Sequence, residues 1–166
     1  MQPRTYAEVV ATVGPGLLRL GLMLTGDPLA AEDLVQETLA LAHRHGDRIA
    51  TMESPAAYLR RILINRHLSD QRTRARRPRE TAYDDLPGHP ASPDQASRVD
   101  HRDEAWRLLA TLPPKQRAVL ALRFYEDLAD ADIAAVLGCS EGTVRSNASR
   151  ALATLRAHLS PPEVTR

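Results

Sequence analysis

Between residues 78 and 99 the chain reads PRETAYDDLPGHPASPDQASRV, a stretch with four prolines and no apolar period. Proline lacks a backbone donor and disfavours helix in the residue before it, so no continuous helix crosses this segment. The chain is thereby split into two parts. The flanks abound in Ala, Leu and Arg, which favour helix. Runs of alternating Val, Ile or Tyr that would make strands are few, and aromatics are only 4% of residues. The expectation is an all-α protein of two small helical domains, 1–77 and 100–160, joined by a flexible linker over 78–99.

Local signals place the helices. The first periodic segment is GPGLLRLGLMLTG, ending at TGDP. Asp27 is suited to cap the next helix, with Pro28 at its first position, where no donor is missed. In PLAAEDLVQETLALAHRHG, Ala31, Leu34, Val35, Leu39 and Ala42 fall toward a core, Asp33, Gln36 and Glu37 lie together on another side, and Gly46 reads as a stop. Ser54 and Pro55 start a further helix whose apolar stripe is Tyr58, Leu59, Ile62 and Leu63, and Pro78 ends it. Past the linker, DEAWRLLATL and PPKQRAVLALRFYED read as two short helices.

Net charge is only +1, but the charges are segregated. From Arg60 to Arg79 the chain carries eight arginines against the lone acid Asp70, and acids then dominate from Glu80 to Glu104. At 100° per residue Arg61, Asn65, Ser69, Arg72 and Arg76 fall within an arc of roughly 80°. Arginines in such a stripe bind phosphates, while Asn65 and Ser69 can pair with base edges. An ordinary solvated face is the competing reading; it would commonly mix signs to form intrahelical pairs.

Near the C-terminal end, DIAAVLGCSEGTVRSNASRAL has the spacing of a helix-turn-helix. Ala134 allows close helix crossing, Gly138 can end the first helix in a left-handed conformation, Ser140 can cap the second, and Val144 packs back. Ala148, Ala151, Leu152, Leu155 and Leu159 share the side of Val144. The opposite side holds Gly142, Thr143, Ser146, Ser149 and Arg150, with Arg145 and Asn147 at its edges. Such a face suits a DNA major groove.

Other classes find little support. Cys139 is the sole cysteine, so no intramolecular disulfide framework is possible; a reducing compartment, the cytoplasm, is expected, with a filler role for this thiol. No apolar run is judged to approach the roughly 20 residues of a membrane span, no signal-peptide pattern opens the chain, and no membrane partner is expected. No metal-ligand spacing, phosphate loop or nucleophile motif occurs, so neither enzyme nor cofactor is expected; His43 and His45 point roughly 200° apart on a helix.

The order of an acidic and apolar helix AEDLVQETLALA, an arginine-rich helix, a linker, and LPPKQRAVLALRFYEDL before IAAVLGCSEGTVRSNASRALATLR resembles the extracytoplasmic-function sigma factors. These are small initiation subunits of bacterial RNA polymerase within the sigma-70 family. TGDPLAAEDLVQETL and LPPKQRAVLALRFYEDL are the most specific matches. The resemblance implies a region 2 helical bundle and a region 4 helix-turn-helix, with no region 3 domain between them. It further implies that Asp33, Leu34, Gln36 and Glu37 face core RNA polymerase. Arg61, Asn65, Ser69, Arg72 and Arg76 would bind the melted minus-ten element, and Thr143, Arg145, Ser146, Asn147 and Arg150 the minus-thirty-five duplex. Promoter DNA and core polymerase are the implied partners, with an anti-sigma protein covering the polymerase-binding faces. The alternative is a stand-alone helix-turn-helix regulator whose N-terminal half dimerises or senses a ligand. Departures from the family pattern fall at His43 and His45, where aromatics are frequent, at Ser69, at Ala129, where a helix cap is usual, and at Asn147, where a basic residue is common. Asp130 is the expected substitute cap.

Overall fold

A computed structural model of the chain describes residues 4–77 and 104–160. The expected linker, 78–99, lies outside them. Among the described residues the protein is helical without strands. The N-terminal half comprises α1 (Tyr6–Thr25), α2 (Pro28–His43), α3 (Gly46–Ala50) and α4 (Pro55–Arg76). The C-terminal half comprises α5 (104–110), α6 (Pro114–Leu120) running into a π-helical turn (Ala121–Tyr125), α7 (Asp130–Leu137) and α8 (Glu141–Leu159).

Helix α1 starts well upstream of Gly14, where the apolar period begins. A capping box sets the start: the Thr5 hydroxyl accepts from the Glu8 amide at 3.3 Å and the Glu8 carboxylate accepts from the Thr5 amide at 2.7 Å. Pro15 lies inside the helix on an exposed position. By length and apolarity α1 could cross a membrane, contrary to the sequence reading. In the fold it is a core helix, with Val9, Leu17, Leu20 and Leu24 packed in the interior.

Asp27 caps α2, accepting from the Leu29 and Ala30 amides at 3.3 Å each, and Pro28 occupies the first turn as expected. Ala31, Leu34, Val35 and Ala42 are buried; Leu39 is only half-buried, and Thr38 takes an interior place by donating its hydroxyl to the Leu34 carbonyl at 2.7 Å. That bond removes the cost of burying the polar group. Gly46 is no left-handed stop. It opens α3 pressed against Tyr6, where an added Cβ would meet the ring at 3.1 Å, so close approach explains the glycine.

Ser54 caps α4 through the Ala57 amide. Leu59, Leu63, Ile64 and Leu68 line the buried side, while Tyr58 and Ile62 are half-buried; the inward side is rotated from the expected stripe. Arg77 is extended directly before Pro78, as the restriction on a residue preceding proline requires. Fully buried Leu20, Leu24, Ile49, Leu59 and Leu63 each stabilise the fold by about 1.5–3 kcal/mol.

The two halves share one continuous core. Helices α6 and α7 pack on α4, and α6 with its π turn packs on α1. Arg117 donates from Nη1 to the Leu24 carbonyl at 2.7 Å, and from Nη2 to the Ala110 and Leu112 carbonyls at 3.0 and 3.1 Å. Its burial pulls the guanidinium pKa down from the ordinary value.

Candidate nucleic-acid and polymerase interfaces

Helix α4 presents Arg61, Asn65, Ser69, Arg72 and Arg76, all exposed. Among the described residues none of these three arginines has a carboxylate partner. Arg66 behaves otherwise, contacting Glu37 of α2 at 3.0 Å and Asp70 at 3.4 Å. The one acid of the basic block is thus directed away from the stripe. Cationic side chains on an unneutralised helix face concentrate positive potential where an anionic strand can lie. Asp70, displaced by one place from the family position, instead braces α4 against α2 through Arg66.

On α2 the structure divides the polymerase candidates. Asp33, Gln36 and Glu37 are exposed, whereas Leu34 is 6% exposed and belongs to the core. Its neighbours on the sequence present the polar face, and Leu34 holds that face in place. Leu41, 43% exposed, joins Glu37, Ala40, Arg44 and Arg66 around a shallow depression beside this face. Sequence reasoning missed it, because at 100° per residue Leu41 lies nearly in line with buried Leu34 and periodicity assigns it inward.

His43 and His45 are exposed. His43 tilts against the Tyr6 ring with centroids 5.5 Å apart, and Tyr6 donates its hydroxyl to the Leu39 carbonyl at 2.8 Å. An imidazole thus supplies an aromatic contact at a position where relatives favour an aromatic residue.

The helix-turn-helix forms as its spacing predicts. Gly138 adopts φ 63° at the end of α7, and Ser140 caps α8 by accepting from the Thr143 amide at 3.1 Å. Ala134, Val144, Ala148 and Ala151 are buried between the helices. Leu152 and Leu155 are half-buried against this core, but Leu159 is 63% exposed in the final turn, a departure from the expected inward stripe. The apolar face outlasts the partner helices it packs on.

Thr143, Arg145 and Arg150 are exposed on α8. Arg145 is 3.6 Å from Glu141 across one turn, an exposed pair that is readily exchanged for a phosphate. Ser146 and Asn147 are half-buried and donate to the Thr143 carbonyl at 3.1 and 2.8 Å. Cys139 sits half-buried in the turn. Ala129 takes the cap position of α7 with no side-chain bond. The expected substitution by Asp130 does not occur, because its carboxylate is held by Arg123.

Comparison with known proteins agrees with this layout. Residues 9–77 match the family model for sigma-70 region 2, and residues 102–155 that for sigma-70 region 4. The RNA polymerase sigma-E factor of Streptomyces coelicolor is 39% identical over 156 residues, which are 93% of this chain and 85% of that protein. The ECF RNA polymerase sigma factor SigL of Mycobacterium tuberculosis is 36% identical over 152 residues, 90% of this chain and 86% of the relative. In three dimensions the chain is similar to the sigma factor RpoE of Bartonella quintana, solved in complex with the anti-sigma factor NepR. The TM-score is 0.75 and the identity 28%, covering 97% of this chain and 98% of that one. A region 2 match over the N-terminal half leaves no room for the stand-alone regulator, whose N-terminal half would dimerise or sense a ligand. The chain therefore belongs to the sigma-70 family and, within it, to the extracytoplasmic-function sigma factors, whose role is promoter recognition and transcription initiation with RNA polymerase.

Proposed function

We propose that residues 1–77 act as region 2, residues 100–160 as region 4, and residues 78–99 as the tether between them. Asp33, Gln36 and Glu37 dock on core RNA polymerase, with buried Leu34 fixing their geometry. Arg61, Asn65, Ser69, Arg72 and Arg76 take the melted minus-ten strand: the arginines neutralise phosphates while Asn65 and Ser69 address exposed base edges. Thr143, Arg145, Ser146, Asn147 and Arg150 meet the minus-thirty-five duplex, with the first turn of α8 nearest the bases. The subunit works in the cytoplasm and catalyses nothing itself. An anti-sigma protein is its inhibitory partner, by analogy with the NepR complex of its structural neighbour.

The observation that supports this most is the exposed α4 stripe, whose arginines stand without carboxylates while nearby Arg66 is paired. A surface evolved only for solubility would neutralise itself within the helix. In holoenzyme, Arg61→Ala and Arg72→Ala should each lower affinity for a fork-junction DNA by roughly tenfold while leaving affinity for upstream duplex nearly unchanged. Equal losses on both DNAs would contradict the assignment.

A further inference from the structure

Three polar contacts join the halves at one side of the shared core. Arg117 of α6 donates to the last-turn carbonyl of α1 at Leu24, where a cation meets the negative end of the helix. Arg19 of α1 donates from Nε to the Tyr125 hydroxyl at 2.6 Å. Arg60 of α4 lies 2.5 Å from Glu126, with side chains only 18% and 14% exposed. Two of the three C-terminal partners, Tyr125 and Glu126, come from a backbone that departs from regular helix. The Glu126 amide returns to the Ala121 carbonyl in a π turn, and Asp127 takes φ 52°, a left-handed conformation uncommon for a residue with a side chain. Strained turns persist only where surrounding structure holds them.

We infer that Arg117, Tyr125 and Glu126 form a clasp that keeps the free subunit closed, so that the chain carries its own off state and opening it is part of loading onto polymerase. The inference rests on the promoter-binding reading above. Minus-ten and minus-thirty-five elements are about 25 base pairs apart, on the order of 85 Å along duplex. A helical body of this size is on the order of 35–40 Å across. While α6 and α7 sit on α1 and α4, the α4 stripe and the α8 face cannot reach both elements. Separation must break all three contacts, and the shielded Arg60–Glu126 pair leaves a poorly solvated charge when one partner is lost. The closed population thus sets a fraction by which apparent affinity for polymerase is reduced.

The test uses the full chain in a Cys139→Ser background, with spin labels at Ala11→Cys on α1 and Ala153→Cys on α8, both exposed sites. Double electron–electron resonance should give one narrow distance. Glu126→Lys should broaden and lengthen it and raise affinity for core polymerase roughly three- to tenfold. Combining it with Arg60→Glu should restore both the narrow distance and the lower affinity. Tyr125→Phe, which keeps the ring and removes only the Arg19 acceptor, should shift both in the direction of Glu126→Lys by less. A broad distance in the starting chain, or no change in either variant, overturns the clasp; an opened chain with unaltered polymerase affinity overturns its gating role. The Arg61 and Arg72 measurements on fork-junction DNA judge the promoter reading separately, since neither residue touches the clasp.

Discussion

His67 projects from α4 into the seam between the halves and is 4% exposed. Burial and, next, the Arg117 guanidinium lower its pKa from 6.5 to about 4; Asp70 opposes the drop and Arg74 adds to it. The unfolded chain takes up the proton near pH 6.5, whereas the folded chain refuses it until about pH 4. Stability is therefore full above 6.5 and declines as pH falls toward 4, by on the order of 2–3 kcal/mol. His67→Gln should lose about 2 kcal/mol less than the parent between pH 7 and 4.5 in urea unfolding; equal pH dependence would count against this assignment. Leu34 and Asp33 separate structure from contact in the same way. Leu34→Ala should cost about 2–4 kcal/mol of stability through the cavity it leaves. Asp33→Ala should leave the melting temperature within a degree or two while weakening core polymerase binding, as read by gel filtration of the mixed proteins. At this scale the exposed acids of α2 and the arginines of α4 were legible in the sequence, because charge resists burial. Leu41 was not, because exposure at a helix end is decided by what packs there.

Among the elements, α7 is the least well secured. Its cap position is Ala129, and Asp130 is engaged with Arg123. Ala129→Ser should stabilise the protein by about 1 kcal/mol by giving an orphan amide an acceptor, measurable as a higher urea midpoint with unchanged slope. An unaltered midpoint would show that the cap site is already satisfied in solution. The caps at Asp27, Ser54 and Ser140 and the left-handed Gly138 followed directly from residue type, since each acts within one turn. The capping box at Thr5 and Glu8 has the same local character and went unread, because apolar periodicity drew the start to Gly14. Helix α3 was missed for another reason: five residues carry too little periodicity, and the segment is helical because Ile49 and Ala50 are buried against α1, α2 and α4.

At the scale of the whole molecule, a continuous interior from α1 and α4 into α6 and α7 predicts that heating the full chain gives a single cooperative transition. Two resolved transitions in scanning calorimetry would mean that the halves unfold independently. The sequence by itself determined the helical class, most helix boundaries, the helix-turn-helix and the segregation of charge, because propensity, capping and periodicity act over a few residues. Only the tertiary structure decided that Leu34 is internal, that Arg66 rather than the stripe takes the available acids, and that the halves close on one another. Those outcomes depend on which surfaces meet across the chain, where burial and pairing of distant residues outweigh local preference.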